Sequence, residues 1–144
     1  MSKVFVDANF IVSVFREIED NHDKACHNLK ILLSEHECYI SNGIILEIIT
    51  IIMMRTKDLE LTKIVYYFLK DNFTIVNEYE IEKYNDRVFS IFKKYNKNTF
   101  KLSFIDCSTV VISKFFDLKY VVSFDKKFKL FNEIKVYELE DVEK

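Results

Sequence analysis

The chain has 144 residues, of which 49% are hydrophobic, and a formal net charge of -2 at pH 7. This length suffices for one hydrophobic core and leaves no room for a second, so we expect residues 1–144 to form a single domain. The net charge argues against a protein that coats nucleic acid through bulk positive charge, although residues 88–105 carry four lysines and no acid.

Cysteine usage and hydropathy restrict the cellular setting. Cys26, Cys38 and Cys107 form no C-x-x-C pair, and no signal peptide precedes them, which is typical of a protein in a reducing cytoplasm. The longest apolar run, residues 44–54, is interrupted by two polar residues and is shorter than the roughly 20 residues that span a bilayer. We therefore expect a cytoplasmic protein without a membrane partner.

Apolar patterning predicts that strands and helices alternate along the chain. The predicted strands cover residues 1–7, 38–41, 73–76, 120–123 and 134–139. The predicted helices cover residues 10–16, 21–34, 42–55, 56 or 58–69, 81–95, 103–116 and 126–131. Asn9 is predicted to cap the first helix and Ser103 the sixth. No hairpin signal separates the strands, so we predict an α/β fold with a central parallel sheet of four to five short strands and helices on both faces.

Four acidic residues occupy apolar stretches of the sequence. Asp7 and Asp125 each end a predicted strand, whereas Glu47 and Asp106 lie near the starts of predicted helices. Ligands of parallel sheets bind beyond the carboxyl ends of the strands, so we expect these side chains to share one edge of the sheet. Two carboxylates about 4 Å apart repel by roughly 4 kcal/mol at an effective dielectric near 20, so such a cluster needs a cation or bound protons. Oxygen ligands favour Mg²⁺ or Mn²⁺.

Each acid also has an ordinary structural explanation. Asp106 follows Ser103 at the spacing of a capping box, Asp125 could cap the helix at 126–131, and Asp7 could be a turn residue. Glu47 is harder to explain in this way, because most of its neighbours on the helix are apolar. For the three aspartates the structural and the metal-binding interpretations both stay open.

Four segments in chain order resemble the signature segments of PIN domains, and the VapC-type toxin ribonucleases are the most similar branch in size and layout. The segments are FVDAN at 5–9, the helix that carries Glu47, LSFID at 102–106 and VSFDKKF at 122–128. Departures are mild: Ala8 stands where many members have Thr or Ser, and Ser123 where Thr is common. The helix after Asp106 also lacks the usual alanines. No departure removes an acidic position.

This resemblance implies a single PIN-like domain that acts as a metal-dependent endoribonuclease and cuts RNA phosphodiester bonds with metal-activated water. Four residues would hold Mg²⁺ or Mn²⁺ directly or through waters: Asp7, Glu47, Asp106 and Asp125. Asn9 is similar in position to the polar residue that orients the first aspartate, with a plain helix cap as the alternative, and Ser123 is a second supporting residue. A toxin of this kind implies a small antitoxin protein as a partner.

Lysines near the acidic segments are candidates for contacts with RNA phosphates. Three of them precede the sixth helix and two follow the fourth acid: Lys94, Lys97, Lys101, Lys126 and Lys127. Such lysines can bind phosphates while neighbouring aromatic residues stack on bases. A solvated loop explains any single one of them equally well.

Several other functions are compatible with parts of this pattern. A PIN-like module that binds a partner without cutting, or a PIN nuclease of RNA processing without an antitoxin, would share the fold. A haloacid-dehalogenase-type phosphotransferase needs D-x-D after the first strand, but Asp7 is followed by Ala8 and Asn9. A response-regulator receiver needs an aspartate after the third strand, where Asn77 stands.

A segment rich in histidine and cysteine spans residues 22–38. His22 and Cys26 are one helical turn apart and could chelate zinc. The segment has neither C-x-x-C nor H-x-x-x-H, so buried apolar roles for Cys26 and Cys38 are the better interpretation.

The helices at 44–54 and 61–69 offer more apolar surface than a chain of this size readily covers. We therefore expect a homodimer. The alternative is that one core buries both helices.

Overall fold

The computed structural model describes residues 1–142 and shows five parallel strands surrounded by six α-helices in that range. The strands are β1 (Lys3–Val6), β2 (Glu37–Ser41), β3 (Thr74–Val76), β4 (Tyr120–Val122) and β5 (Lys135–Val136). The helices are α1 (Ala8–Phe15), α2 (His22–Glu35), α3 (Asn42–Thr56), α4 (Leu59–Asn72), α5 (Tyr84–Tyr95) and α6 (Phe104–Phe115). Short 3₁₀ helices lie at Glu78–Glu80 and Lys126–Leu130. The predicted α/β class and parallel sheet are confirmed.

The order of the strands, β3-β2-β1-β4-β5, puts β1 at the centre of the sheet. Val4 pairs in parallel register with Cys38 of β2 and Tyr120 of β4, and Val6 pairs with Val122. The chain runs from β1 outward through β2 and β3, then returns to the other side of β1 for β4. The order therefore reverses between β1 and β4, and ligands of such sheets bind in the crevice at this point, beyond the carboxyl ends of the strands.

Burial explains why the central elements form where they do. Val4, Phe5 and Val6 of β1 are all 0% exposed, as expected for a central strand covered on both faces. In α3, Ile44, Ile48 and Ile52 recur every four residues and are each 1% exposed or less. Burying a side chain of this size contributes about 1.5–3 kcal/mol, so this stripe fixes how α3 is rotated against the core. No helix within residues 1–142 is long and apolar enough to cross a membrane.

The prediction that Asn9 caps the first helix is wrong. Helix α1 begins at Ala8, Asp7 is its N-cap residue, and Asn9 lies in the first turn. The Asn9 amide is instead used across the sheet, because its Oδ1 accepts a hydrogen bond from the Phe124 N–H at 3.1 Å. Alanine is the best helix former, so Ala8 readily extends the helix back to the strand.

Two other predicted boundaries also shift. The helix predicted at 81–95 begins only at Tyr84. The Asn77 side chain accepts a hydrogen bond from the Tyr79 N–H and starts a 3₁₀ turn. Lys83 then adopts a left-handed φ of 55°, so α5 cannot start earlier. The last strand is shorter than predicted, since only Lys135–Val136 pairs with β4.

Glu78 fixes the start of α3 and was not among the predicted functional residues. Its carboxylate is 2% exposed and accepts hydrogen bonds from the backbone N–H groups of Asn42 at 3.1 Å and Gly43 at 2.8 Å. A Cβ at Gly43 would lie 3.2 Å from both Glu78 Oε2 and Ile105 Cδ1, so a larger residue at this position would have to displace one of these side chains. The first turn of a helix favours a negative charge, so Glu78 stabilises the helix that carries Glu47.

Removing the Glu78 carboxylate should destabilise the protein. Glu78→Ala leaves two N–H donors at the start of α3 without their acceptor, and we expect the free energy of unfolding to fall by about 1–3 kcal/mol in urea titrations. Glu80→Ala in the same 3₁₀ turn removes an exposed carboxylate and should change it by less than about 0.5 kcal/mol. Equal stability of the two variants would contradict the anchoring role.

Candidate active site

A cavity of about 330 Å³ lies at the carboxyl ends of β1 and β4. Asp7 follows β1, Asp125 follows the strand β4 by way of Ser123 and Phe124, and α3 and α6 supply the other two acids. The lining thus includes all four predicted acids: Asp7, Glu47, Asp106 and Asp125. We call it the acid cavity. Four separate elements converge on it, as the sequence predicted.

Ser123 and Asn9 hold the first aspartate and the segment after β4 together. Ser123 Oγ lies 3.0 Å from Asp7 Oδ2 and 3.1 Å from Asn9 Oδ1, and its single hydrogen can be donated to either. The same oxygen accepts from the Asp125 N–H at 3.0 Å, and Asn9 Oδ1 accepts from the Phe124 N–H. The two predicted supporting residues therefore link Asp7 to the turn that carries Asp125.

The acids influence one another's protonation. The pKa of Asp7 is raised from 3.8 to about 7, mainly by burial; the hydrogen bond from Ser123 lowers this pKa, while the negative charges of Glu47 and Asp106 raise it. The pKa of Glu47 is also raised, first by burial and then by the charge of Asp106. Two carboxylates thus resist ionisation at the site where a cation would be most favourable.

Asp106 caps α6 and also lines the acid cavity. Its Oδ2 accepts from the Ser103 N–H and its own N–H donates to Ser103 Oγ, both at 3.1 Å, which completes a capping box at the start of α6. The residue also lines the acid cavity. The capping bond employs one carboxylate oxygen and fixes the side chain, so capping and ligand binding are compatible.

Asp125 likewise has a structural bond at the cavity. Its Oδ1 accepts from the Lys127 N–H at 2.9 Å and caps the 3₁₀ helix Lys126–Leu130. This agrees with the predicted capping role, and the residue still lines the acid cavity.

The donor set fits a hydrated divalent cation. Carboxylate oxygens are the ligands that Mg²⁺ and Mn²⁺ prefer. Within the described residues, no three His, Cys, Asp or Glu side chains are arranged to hold one ion directly. Mg²⁺ usually keeps several waters and binds through one or two carboxylates, and a cavity of about 330 Å³ has room for an ion with its water shell. The residues therefore fit an ion held partly through water.

The sequence analysis did not identify Arg55, a positively charged side chain at the acid cavity. Arg55 lines the cavity, and its Nη1 lies 3.0 Å from Glu19 Oε1, which also pairs with Arg16. Glu47, Ile51 and Arg55 follow one another at four-residue intervals on α3, and all three line the cavity. This helical spacing was the signal in the sequence that could have identified Arg55.

The candidate lysines fall into two groups. Lys126 lies in a second cavity beside the acid cavity, and Lys127 is exposed next to it in the chain. The other three line a separate cavity of about 170 Å³, which shares no residue with the acid cavity: Lys94, Lys97 and Lys101. Lys94 Nζ also pairs with Glu133 at 3.2 Å. The first group lies beside the acid cavity, whereas the second lines a cavity that shares no residue with it.

His22 has a structural hydrogen bond. Its Nδ1 donates to the Ser13 carbonyl at 2.8 Å, which joins the start of α2 to α1. Cys38 is buried, and burial raises the pKa of its thiol to about 12. The buried position predicted for Cys38 is confirmed, whereas Cys26 is only partly buried and its Sγ lies 3.7 Å from His22 Nε2.

Comparison with protein families identifies the fold. The model of the PIN domain matches residues 4–134, which is most of the chain. The chain belongs to the PIN domain family. No curated protein matches it.

Solved structures with this PIN fold are similar over nearly the whole chain. VapC20 of Mycobacterium tuberculosis, described as a sarcin-ricin loop cleaving toxin, superposes with a TM-score of 0.75 at 15% identity, covering 94% of this chain and 99% of its own. VapBC2 of Rickettsia felis, bound to a DNA fragment from its promoter, gives 0.74 at 13% identity, covering 95% and 98%. FitAcB of Neisseria gonorrhoeae gives 0.64 at 14% identity, covering 94% and 96%. These similarities show a common fold.

The raised pKa of Asp7 predicts how stability depends on pH. In EDTA the folded protein keeps the Asp7 proton up to about pH 7, whereas the unfolded chain releases it near 3.8. The folded state binds more protons between these values, so the free energy of unfolding falls as pH rises. One pKa unit corresponds to about 1.4 kcal/mol, so the loss from this group reaches up to about 4 kcal/mol at pH 8. Asp7→Asn should remove this loss of stability at high pH, because the amide does not ionise.

Urea unfolding in EDTA at pH 4.5, 6 and 8 measures this effect. Asp7→Asn should be more stable than wild type at pH 8, with a difference that shrinks toward pH 4.5. Asp117→Asn is the matched control, since Asp117 is exposed and its left-handed φ of 56° suits Asn. If the difference in the free energy of unfolding between Asp7→Asn and wild type does not change with pH, the raised pKa of Asp7 is refuted.

Proposed function

We propose that this protein is a divalent-metal-dependent endoribonuclease and the toxin of a toxin–antitoxin pair. The observation that carries the proposal is that four carboxylates from four separate elements line one cavity at the strand-order reversal of a PIN domain. The description of VapC20 as a toxin that cleaves the sarcin-ricin loop supports RNA as the substrate class.

The reaction we propose is hydrolysis of a phosphodiester bond. A water oxygen attacks phosphorus, the bond to the 3′-oxygen breaks, and the products carry 5′-phosphate and 3′-hydroxyl ends. Four residues would hold Mg²⁺ or Mn²⁺ directly or through waters: Asp7, Glu47, Asp106 and Asp125. The bound ion would supply a lowered pKa of the attacking water and positive charge beside the phosphate.

The protein's own residues prepare the cavity for this chemistry. Ser123 and Asn9 orient Asp7, the capping box orients Asp106, and Glu78 anchors the helix that carries Glu47. Arg55, held by Glu19, provides positive charge at the rim, where a phosphate of the substrate can bind. The reacting groups are therefore positioned before the substrate arrives, which lowers the entropic barrier.

A catalytically silent interaction module is the main competing function. Such a module has no need for buried carboxylates with raised pKa values, such as Asp7 and Glu47, in a shared cavity, and their presence favours the enzyme. A PIN nuclease of RNA processing would share the chemistry and lack only the antitoxin. VapBC2 is described as bound to promoter DNA, and this favours an antitoxin partner for the present chain as well.

We also propose that the chain forms a homodimer. Apolar side chains on α3 and α4 remain exposed in the single chain, among them Leu46 at 68%, Met54 at 70% and Ile64 at 60%. An apolar surface of this kind is typical of a protein–protein interface. Light scattering of the purified protein tests this proposal, and a concentration-independent monomer mass would reject it.

Cleavage of RNA should require both the metal and the acids. Purified protein should cut tRNA or rRNA in Mg²⁺ or Mn²⁺ and be inactive in EDTA. Asp7→Asn, Glu47→Gln and Asp106→Asn should each lower the cleavage rate by about 100-fold or more, because each removes a charge that stabilises the bound ion. Gel analysis of end-labelled RNA measures the rates.

Asp117→Asn serves as control and should cleave like wild type, since Asp117 is exposed and absent from the lining of the acid cavity. Cleavage that persists in EDTA, or that is unchanged in Asp7→Asn, would reject the mechanism.

A further inference from the structure

A second cavity of about 570 Å³ adjoins the acid cavity. The two cavities share three lining residues, Asn21, Phe124 and Asp125, so they lie side by side on the surface. We call the second cavity the lysine groove. A polymer bound with one phosphate in the acid cavity can continue into this groove.

The chemistry of the lysine groove suits a polyanion with bases. Lys24, Lys126 and Lys129 line it, against two acids, Asp125 and Glu138. The lysines of the lining outnumber its acids by one, so the positive charge predominates without any bound cation. Single-stranded nucleic acids bind in grooves where lysines contact phosphates and aromatic rings stack on bases.

Two aromatic residues of the lysine groove are held in place by the fold. The Phe124 ring stacks on Phe10 at 5.5 Å, and its backbone N–H is bound by Asn9. Tyr137 packs edge-on against Tyr120 at 5.9 Å, and its N–H donates to the Val121 carbonyl at 2.8 Å. Pre-ordered rings lose little entropy when a base binds to them.

Lys24 can exchange its present partner for a phosphate. Its Nζ pairs with Asp141 at 3.0 Å, but the Asp141 side chain is 94% exposed. Ion pairs in such exposed positions contribute about 0–1 kcal/mol, so they compete weakly with a phosphate.

We propose that the lysine groove binds single-stranded RNA next to the cleaved bond, with Lys24 and Lys129 contacting phosphates and Tyr137 contacting a base. The inference rests on the proposed function for the identity of the polymer, and it assigns the binding path to this groove rather than to the lysine-rich segment 93–101. A concave groove admits a flexible single strand, whereas duplex DNA is read by elements that protrude into its grooves.

Binding of a fluorescein-labelled single-stranded octaribonucleotide, measured by anisotropy in EDTA at several salt concentrations, tests the proposal without cleavage. The double variant Lys24→Gln/Lys129→Gln should weaken binding, and the slope of log K against log salt should become shallower by about 1.4, since each single-strand phosphate contact contributes about 0.7. Tyr137→Leu should weaken binding by about five-fold or more at all salt concentrations. Lys97→Gln/Lys101→Gln removes the same charge elsewhere and should retain the wild-type slope.

Different outcomes separate this proposal from the proposed function. In Mg²⁺ the Lys24/Lys129 variant should raise KM for RNA and leave kcat near wild type. If wild type cleaves RNA but this variant keeps its Kd, slope and KM, the groove proposal is overturned and the nuclease stands. If wild type binds RNA through these lysines but cuts none, the proposed function fails and the groove proposal is supported. The groove proposal is also overturned if wild type binds no RNA at any salt concentration, or if only the Lys97/Lys101 variant loses RNA binding.

Discussion

The burial of several carboxylates in one cavity is the constraint on which the candidate site depends. Burial raises the pKa of Asp7 and of Glu47, and the negative charge of Asp106 raises both further. A protein gains no stability from such an arrangement by itself. A bound proton or a divalent cation would compensate these charges, and a cation that binds only the folded state would stabilise it.

The fold holds these charges together by fixing each supporting element separately. The central strand β1 is fully buried, the capping box of α6 locks Asp106, and Glu78 fixes the start of α3. Ser123 joins Asp7 to the turn after β4. These polar bonds fix the positions of the elements, while the hydrophobic core, which includes Phe5 and Phe10, stabilises the fold. The same turn leads into the lysine groove, so the residues that position the acids also define the path proposed for the substrate.

Much of this arrangement could be predicted from the sequence because it follows from local patterns. Apolar runs ending in an acid identified β1 and β4, and the spacing of Ser103 and Asp106 identified the cap of α6. Non-local contacts could not be predicted. Glu78 accepts a hydrogen bond from the N–H of Gly43, which lies 35 residues away in the sequence. Asn9 does not cap α1 and instead accepts from the N–H of Phe124, 115 residues away. No pattern within one helix or strand indicates such partners, because only the folded sheet brings them together.

Metal-dependent stability tests the shared ion site most directly. Thermal unfolding of wild type, Asp7→Asn and Asp117→Asn should be compared in EDTA and in Mn²⁺ at about ten times its measured Kd. Because Mn²⁺ binds only the folded state, it should stabilise wild type and Asp117→Asn by roughly 1.4 kcal/mol, a shift of a few degrees in Tm. Asp7→Asn should lose most of that gain. An equal Mn²⁺ shift in all three proteins would contradict a cation site built around Asp7.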